Sequence, residues 1–104
     1  MMESTWEPPL SEHHGRLDAQ ALRALPDSAF AFPRARKEPL LDPSHVRNAI
    51  ARFDQVKDVS NDERELAFAN IKKAAEYFGV DMKETDWRQL GSQPHTPNSA
   101  QERG

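Results

Sequence analysis

Arg34, Arg36 and Lys37 lie within four positions of one another, and Arg47 and Arg52 follow on a stretch with helical spacing. Cations at this density suit a polyanion, because each phosphate they neutralise releases a counterion and fixes the protein on the backbone. His45 stands between the two groups. An imidazole can serve as a base or a metal ligand, but catalysis would need a Ser or Cys nucleophile at readable spacing, and a metal would need a second His or carboxylate at i+4. Neither is present, and His13, His14 and His95 fall in polar terminal segments that offer no rigid support. Asp58, Asp62, Glu63 and Glu65 suit a solvated loop and a helix start, where the macrodipole favours acids, better than an acid/base pair. The four glycines stand apart, so no phosphate-cradling loop is formed. The expectation is therefore a non-enzymatic protein with no catalytic residue, no metal site and no cofactor.

The element that carries the later cations decides how they can act. Val46, Ala49, Ile50 and Phe53 recur at i, i+3, i+4 and i+7 and fill one sector of a helix, with Arg47 and Arg52 on its opposite flanks, roughly 140° apart at ~100° per residue. Two arginines so placed cover apolar borders with their stems and keep their guanidinium groups wet; they do not make one basic stripe. His45, Asn48 and Arg52 share the side facing away from Val46 and Ile50, a candidate partner surface. Residues 17–90 hold twelve Lys/Arg against thirteen Asp/Glu, and the whole chain has a formal charge of -3. Binding driven by counterion release needs a basic excess, so an unidentified protein partner is the leading expectation and nucleic acid, gripped by Arg34, Arg36 and Lys37, the alternative.

Asp42 as N-cap and Pro43 at the first helical position open the helix that carries Val46. Ser60 with Glu63 forms a capping box for a longer helix whose apolar face runs Ala67, Ile71, Ala74, Phe78, until Gly79 offers a left-handed stop and Val80 packs back. On that helix Leu66 and Tyr77, with Asn70 and Lys73 between them, point to a second sector that something should cover. The economical covers are the segment bearing Phe30 and Phe32 or the Trp87 segment; a partner protein or a second copy is the other. Asp81 with Glu84 predicts a short helix carrying Trp87 and Leu90. Upstream, Asp18 caps a short helix with Ala21, Leu22 and Leu25, stopped by Pro26. Pro33 and Pro39 bracket "RARKE", and with no convincing second strand the segment around Phe30 and Phe32 is expected as an extended arm.

At 104 residues, 37% hydrophobic and with eight prolines, the chain supports one small core. Residues 1–16 and 91–104 are poor in aliphatic side chains and are expected as disordered tails. Trp6 is the exception in the first of them, either dangling and loosely docked or the anchor of a linear motif. With no cysteine, no apolar run near the ~20 residues of a membrane span and no signal-peptide pattern, a cytoplasmic protein without membrane association is expected.

Leu25, Pro26, Asp27, Ser28 and Phe30, followed by Arg36, Lys37, Pro39, Asp42, His45, Val46, Arg47, Asn48 and Ala49, reproduce a run L-P-D-S-x-F-A then R-K-x-P-x-x-D-x-x-H-V-R-N-A. Over residues 25 to about 90 the chain resembles a small bacterial family of unknown function with this hallmark, segments of which also occur attached to phage head-maturation proteases. The resemblance implies an interaction role in assemblies and carries over no catalytic or binding residue. The fold expected is all-α: a helical domain over residues 17–90 with two main antiparallel helices, short flanking helices and an extended N-terminal arm. Its core is expected to hold Phe30, Phe32, Leu40, Val46, Ile50, Phe53, Ala67, Phe68, Ile71, Ala74, Phe78 and Trp87.

Overall fold

A computed structural model of the chain describes residues 3–8 and 19–90. In chain order the elements are α1 (Ala19–Ala24), β1 (Phe30–Phe32), β2 (Lys37–Pro39), α2 (Pro43–Arg52) and α3 (Asn61–Phe78), with single 3₁₀ turns at Asp27–Ala29, Phe53–Gln55 and Trp87–Gln89. The all-α expectation is corrected by β1 and β2, which pair antiparallel with Phe30 opposite Pro39 and Phe32 opposite Lys37. The second strand is invisible to strand propensity: it is Lys-Glu-Pro, and Glu38 in its middle has φ of +59°. The four-residue turn Pro33 to Arg36 supplies the pairing instead, closing with Arg36 at φ +54°. A two-stranded ribbon is marginal alone, and this one rests on helices: β1 is buried along its whole length and packs on α3, while β2 lies against α2.

The two long helices begin as their caps dictate. Asp42 accepts the His45 amide at 2.8 Å with Pro43 in the first turn. In α3 the Ser60 hydroxyl accepts the Glu63 amide while Glu63 reaches back to the Ser60 amide, satisfying two orphan donors. Gly79 at φ +73° ends α3, and the Val80 amide bonds the Ala75 carbonyl at 2.8 Å, closing the left-handed stop. The expected cap at Asp81 is corrected: residues 80–84 are not helical, and Asp86 with Gln89 makes the capping box of a single turn at Trp87. The Asp18 cap, His13, His14, His95 and residues 91–104 lie outside the described residues.

Phe32, Leu40, Val46, Ala49, Phe53, Ala67, Ile71, Ala74 and Leu90 form the main buried cluster, with Ile50, Phe68, Phe78 and Trp87 packed half-buried on its border. Phe30 belongs to a smaller cluster with Leu25, Ala29 and Leu41 that seats α1. Trp6 is fully buried, neither dangling nor loosely docked. Its indole Nε1 donates to the Leu40 carbonyl at 3.1 Å, and its ring meets Tyr77 and Phe78 edge-on, with centroids at 5.7 and 5.9 Å. Residues 3–8 and the expected arm thus share the cover of the second sector of α3: Trp6 leans on Tyr77, and Asn70 is bonded by Thr5 and Trp6 on one side and donates to the Ala31 carbonyl of β1 on the other. No helix among the described residues is long and apolar enough to cross a membrane.

Candidate functional site: a mixed-charge cleft beside the hairpin turn

The hairpin brings Arg34, Arg36 and Lys37 to one end of the molecule but gives them three different fates. Arg36 turns inward. Its guanidinium donates to the carbonyls of Leu22 and Leu25, both at 2.9 Å, pairs with Asp27 at 2.6 Å and lies 4.7 Å from the centre of the Phe30 ring. The Leu22 carbonyl belongs to the last turn of α1, where it also accepts the Leu25 amide at 3.2 Å, and the Leu25 carbonyl follows it, so Arg36 binds the acceptors at the end of that helix.

Arg34 makes a two-pronged pair with Glu63, its Nη2 at 3.1 Å from one carboxylate oxygen and its Nε on the other, and also donates to the Asp58 carbonyl at 2.9 Å. The hydrogen bond from Arg34 draws Glu63 below the ordinary glutamate value, and the same bond raises the Arg34 guanidinium. Because Glu63 also closes the α3 capping box, the turn is tied to the start of α3 through one side chain. Lys37 is exposed, and of the three it alone has a side chain that makes neither hydrogen bond nor ion pair among the described residues.

Lys37 is not isolated. The end of α2 and the connection after it place Arg52 and Lys57 around the same depression, a cleft of about 490 Å³ with Ala35 and Val56 among its apolar lining, Gln55 on its wall and Glu38, Asp58 and Arg34 completing the rim. Arg52 and Lys57 are likewise exposed and form no hydrogen bond or ion pair among the described residues. Glu38 is half-buried among them. Burial raises its carboxyl above the ordinary glutamate value, outweighing the attraction of Arg52, Lys37 and His45. The left-handed backbone at Glu38 costs a non-glycine residue roughly 1–2 kcal/mol and aims this side chain at the cleft rim.

The other sequence-derived site residues separate. His45 is half-buried beside a carboxylate, with Nδ1 2.9 Å from Asp42 Oδ1, but that carboxylate is the cap of its own helix and His45 does not line the cleft. Burial works against ionisation of Asp42, yet the amide and ring bonds from His45 and the Ser44 amide outweigh it and hold the carboxyl below its ordinary value. Asn48 is exposed on α2, and of the expected His45, Asn48, Arg52 surface only Arg52 reaches the cleft. Leu66 is half-buried on α3; Tyr77 is 61% exposed and leans on Trp6. Sequence reasoning missed Lys57, Glu38 and Asn70. Lys57 and Glu38 follow from no spacing rule, since they come to one cleft only through the packing of β2 on α2. A fully buried Asn at position 70 was legible only as a polar residue in a sector that needed cover.

Residues 11–85 match the model of a family of unknown function, DUF6582. The chain belongs to DUF6582. The resemblance read from the Leu25 to Ala49 run and the match therefore agree on a family of unknown function, and the DUF6582 match takes in α1, both strands, α2, α3 and every residue of the cleft. No curated protein and no solved structure matches this DUF6582 chain.

Proposed function

We propose that this DUF6582 chain is a non-enzymatic interaction module that binds a carboxylate-bearing, extended segment of another protein in the cleft between the hairpin turn and the end of α2. The observation that carries the reading is the set Lys37, Arg52 and Lys57: three exposed cations whose side chains make no hydrogen bond or ion pair among the described residues, grouped around one cleft that Ala35 and Val56 also line. Exposed cations held by no hydrogen bond or ion pair can turn to an incoming carboxylate, and their loss would show first in association rate and salt dependence.

The mixed lining favours protein over nucleic acid. Glu38 and Asp58 share the rim with the cations, so a peptide offering both carboxylates and amide donors finds partners for each, whereas a uniform phosphate backbone would meet two acids. Arg34 and Arg36, two of the three cations on which the nucleic-acid alternative depends, are already paired with carboxylates and backbone carbonyls of the chain. A non-catalytic role is supported by His45, whose ring nitrogen is engaged with the α2 cap.

Amide chemical-shift mapping at low salt tests this, with a hexaglutamate peptide and a duplex DNA oligonucleotide as separate probes. Shifts at Lys37, Glu38, Arg52 and Lys57 with the peptide, fading as salt is added, are the expected result. A response to DNA with none to the peptide transfers the site to the nucleic-acid reading, and silence with both removes the proposal.

A further inference from the structure

Residues 3–8 are held as a docked peptide is held. One oxygen, Asn70 Oδ1 in the middle of α3, accepts from the Ser4 hydroxyl at 2.7 Å, the Thr5 amide at 2.8 Å and the Trp6 amide at 3.0 Å. The amide end of the same side chain donates to the Ala31 carbonyl of β1 at 2.9 Å, which fixes the orientation of that oxygen. The Trp6 indole and the Glu7 amide then donate to the Leu40 and Ser28 carbonyls, each at 3.1 Å. The segment has no regular structure, and its side chains alternate: Trp6 is buried and Ser4 half-buried, while Glu3, Thr5 and Glu7 are exposed. Alternate residues facing a groove, main-chain bonds along it and one buried aromatic anchor are the features by which extended peptides are recognised. Tyr77, mostly exposed, closes the side of the groove against the indole.

We propose that the groove formed by Asn70, the Leu40 and Ser28 carbonyls, Tyr77 and Phe78 is a recognition site for an extended Ser-x-Trp segment, which it takes in trans as well as from its own N-terminus. Residues 3–8 are then an intramolecular occupant that sets the threshold for any competing segment. Ser at the first position is read by Asn70, Trp at the third fills the pocket, and the position between them contributes only its amide. This site differs from the cleft at the hairpin turn in chemistry: its lining is uncharged, its gate is an amide, and it shares no residue with the cleft.

The test uses the full chain carrying a protease recognition site in place of residues 11–15, cut after folding so that the N-terminal piece remains bound only through the groove. A fluorescent synthetic peptide spanning Met1 to Leu10 is then added in excess. It should displace the clipped piece and bind while the helical circular dichroism stays unchanged, and a peptide with Trp6→Ala should bind about thirtyfold more weakly or worse, as expected when an interface anchor is removed. A serine-to-alanine change at Ser4 of the peptide should weaken binding less than the Trp6 change. If the clipped piece never exchanges, or if helical signal disappears as it leaves, the segment is a permanent part of the core and the proposal is wrong. Equal binding of the Trp6→Ala peptide would overturn it as well.

Discussion

At the scale of single residues, Arg36 shows how a side chain that reads as a nucleic-acid contact can be a structural clasp. It joins the hairpin to the end of α1 through two backbone carbonyls, one carboxylate and one aromatic face, and is itself only partly exposed. Arg36→Ala should destabilise the fold by about 1–3 kcal/mol in urea denaturation, the range for hydrogen bonds to a charged group with allowance for its exposure. Arg36→Lys should recover little of this, since one ammonium cannot reach carbonyls and carboxylate together as a planar fork does. Glu38 gives a second prediction. Its folded-state carboxyl titrates above the unfolded value because burial penalises the charge, so its contribution is most favourable below about pH 4.3 and is lost as pH rises through the raised value. Glu38→Gln should therefore raise the melting temperature near pH 7 and leave it almost unchanged near pH 4. Glu63 has the opposite sign, depressed by Arg34, and its contribution is present at neutral pH and fades on acidification. Neither the inward turn of Arg36 nor the burial of Glu38 was legible in the sequence, because the partners that decide them are backbone carbonyls and residues brought near by the hairpin.

At the scale of elements, what was legible was what local chemistry dictates. Asp42 with Pro43, and Ser60 with Glu63 and Gly79, mark α2 and α3 because caps and left-handed stops act within a few residues of the chain. Ser60→Ala should cost about 1 kcal/mol by thermal denaturation, and Ser60→Asp should restore most of it. The C-terminal turn was misplaced because Asp81 with Glu84 and Asp86 with Gln89 fit the same pattern. The later pair wins since its turn lets Leu90 become buried and sets Trp87 6.1 Å from Phe53. The β hairpin was illegible for a different reason. Lys37, Glu38 and Pro39 have no intrinsic preference for a strand, and the pairing comes from a turn whose left-handed residue is an arginine held in place from outside.

For the molecule as a whole, the core expected from the apolar spacing is present, but its weight is distributed unevenly. Ile71 is fully buried and Ile50 only half so. Ile71→Ala should therefore cost about 2–5 kcal/mol, and Ile50→Ala distinctly less, in the same denaturation series. Trp6 was the largest omission from that core: a lone aromatic in a polar segment gives no periodicity, and its pocket is assembled from Leu40, Asn70, Tyr77 and Phe78. The near balance of charge in the sequence hid a local imbalance, since pairing removes Arg34 and Arg36 and leaves Lys37, Arg52 and Lys57 together. The proposed function rests on that grouping, and calorimetric titration of hexaglutamate into the wild type, Lys37→Glu/Arg52→Glu and Arg47→Glu proteins decides whether it is the binding site. The double variant should remain folded and bind at least about tenfold more weakly, while Arg47→Glu, outside the cleft lining, binds nearly as wild type does. Equal weakening by both variants would mean that any cation serves and that the cleft is not the site.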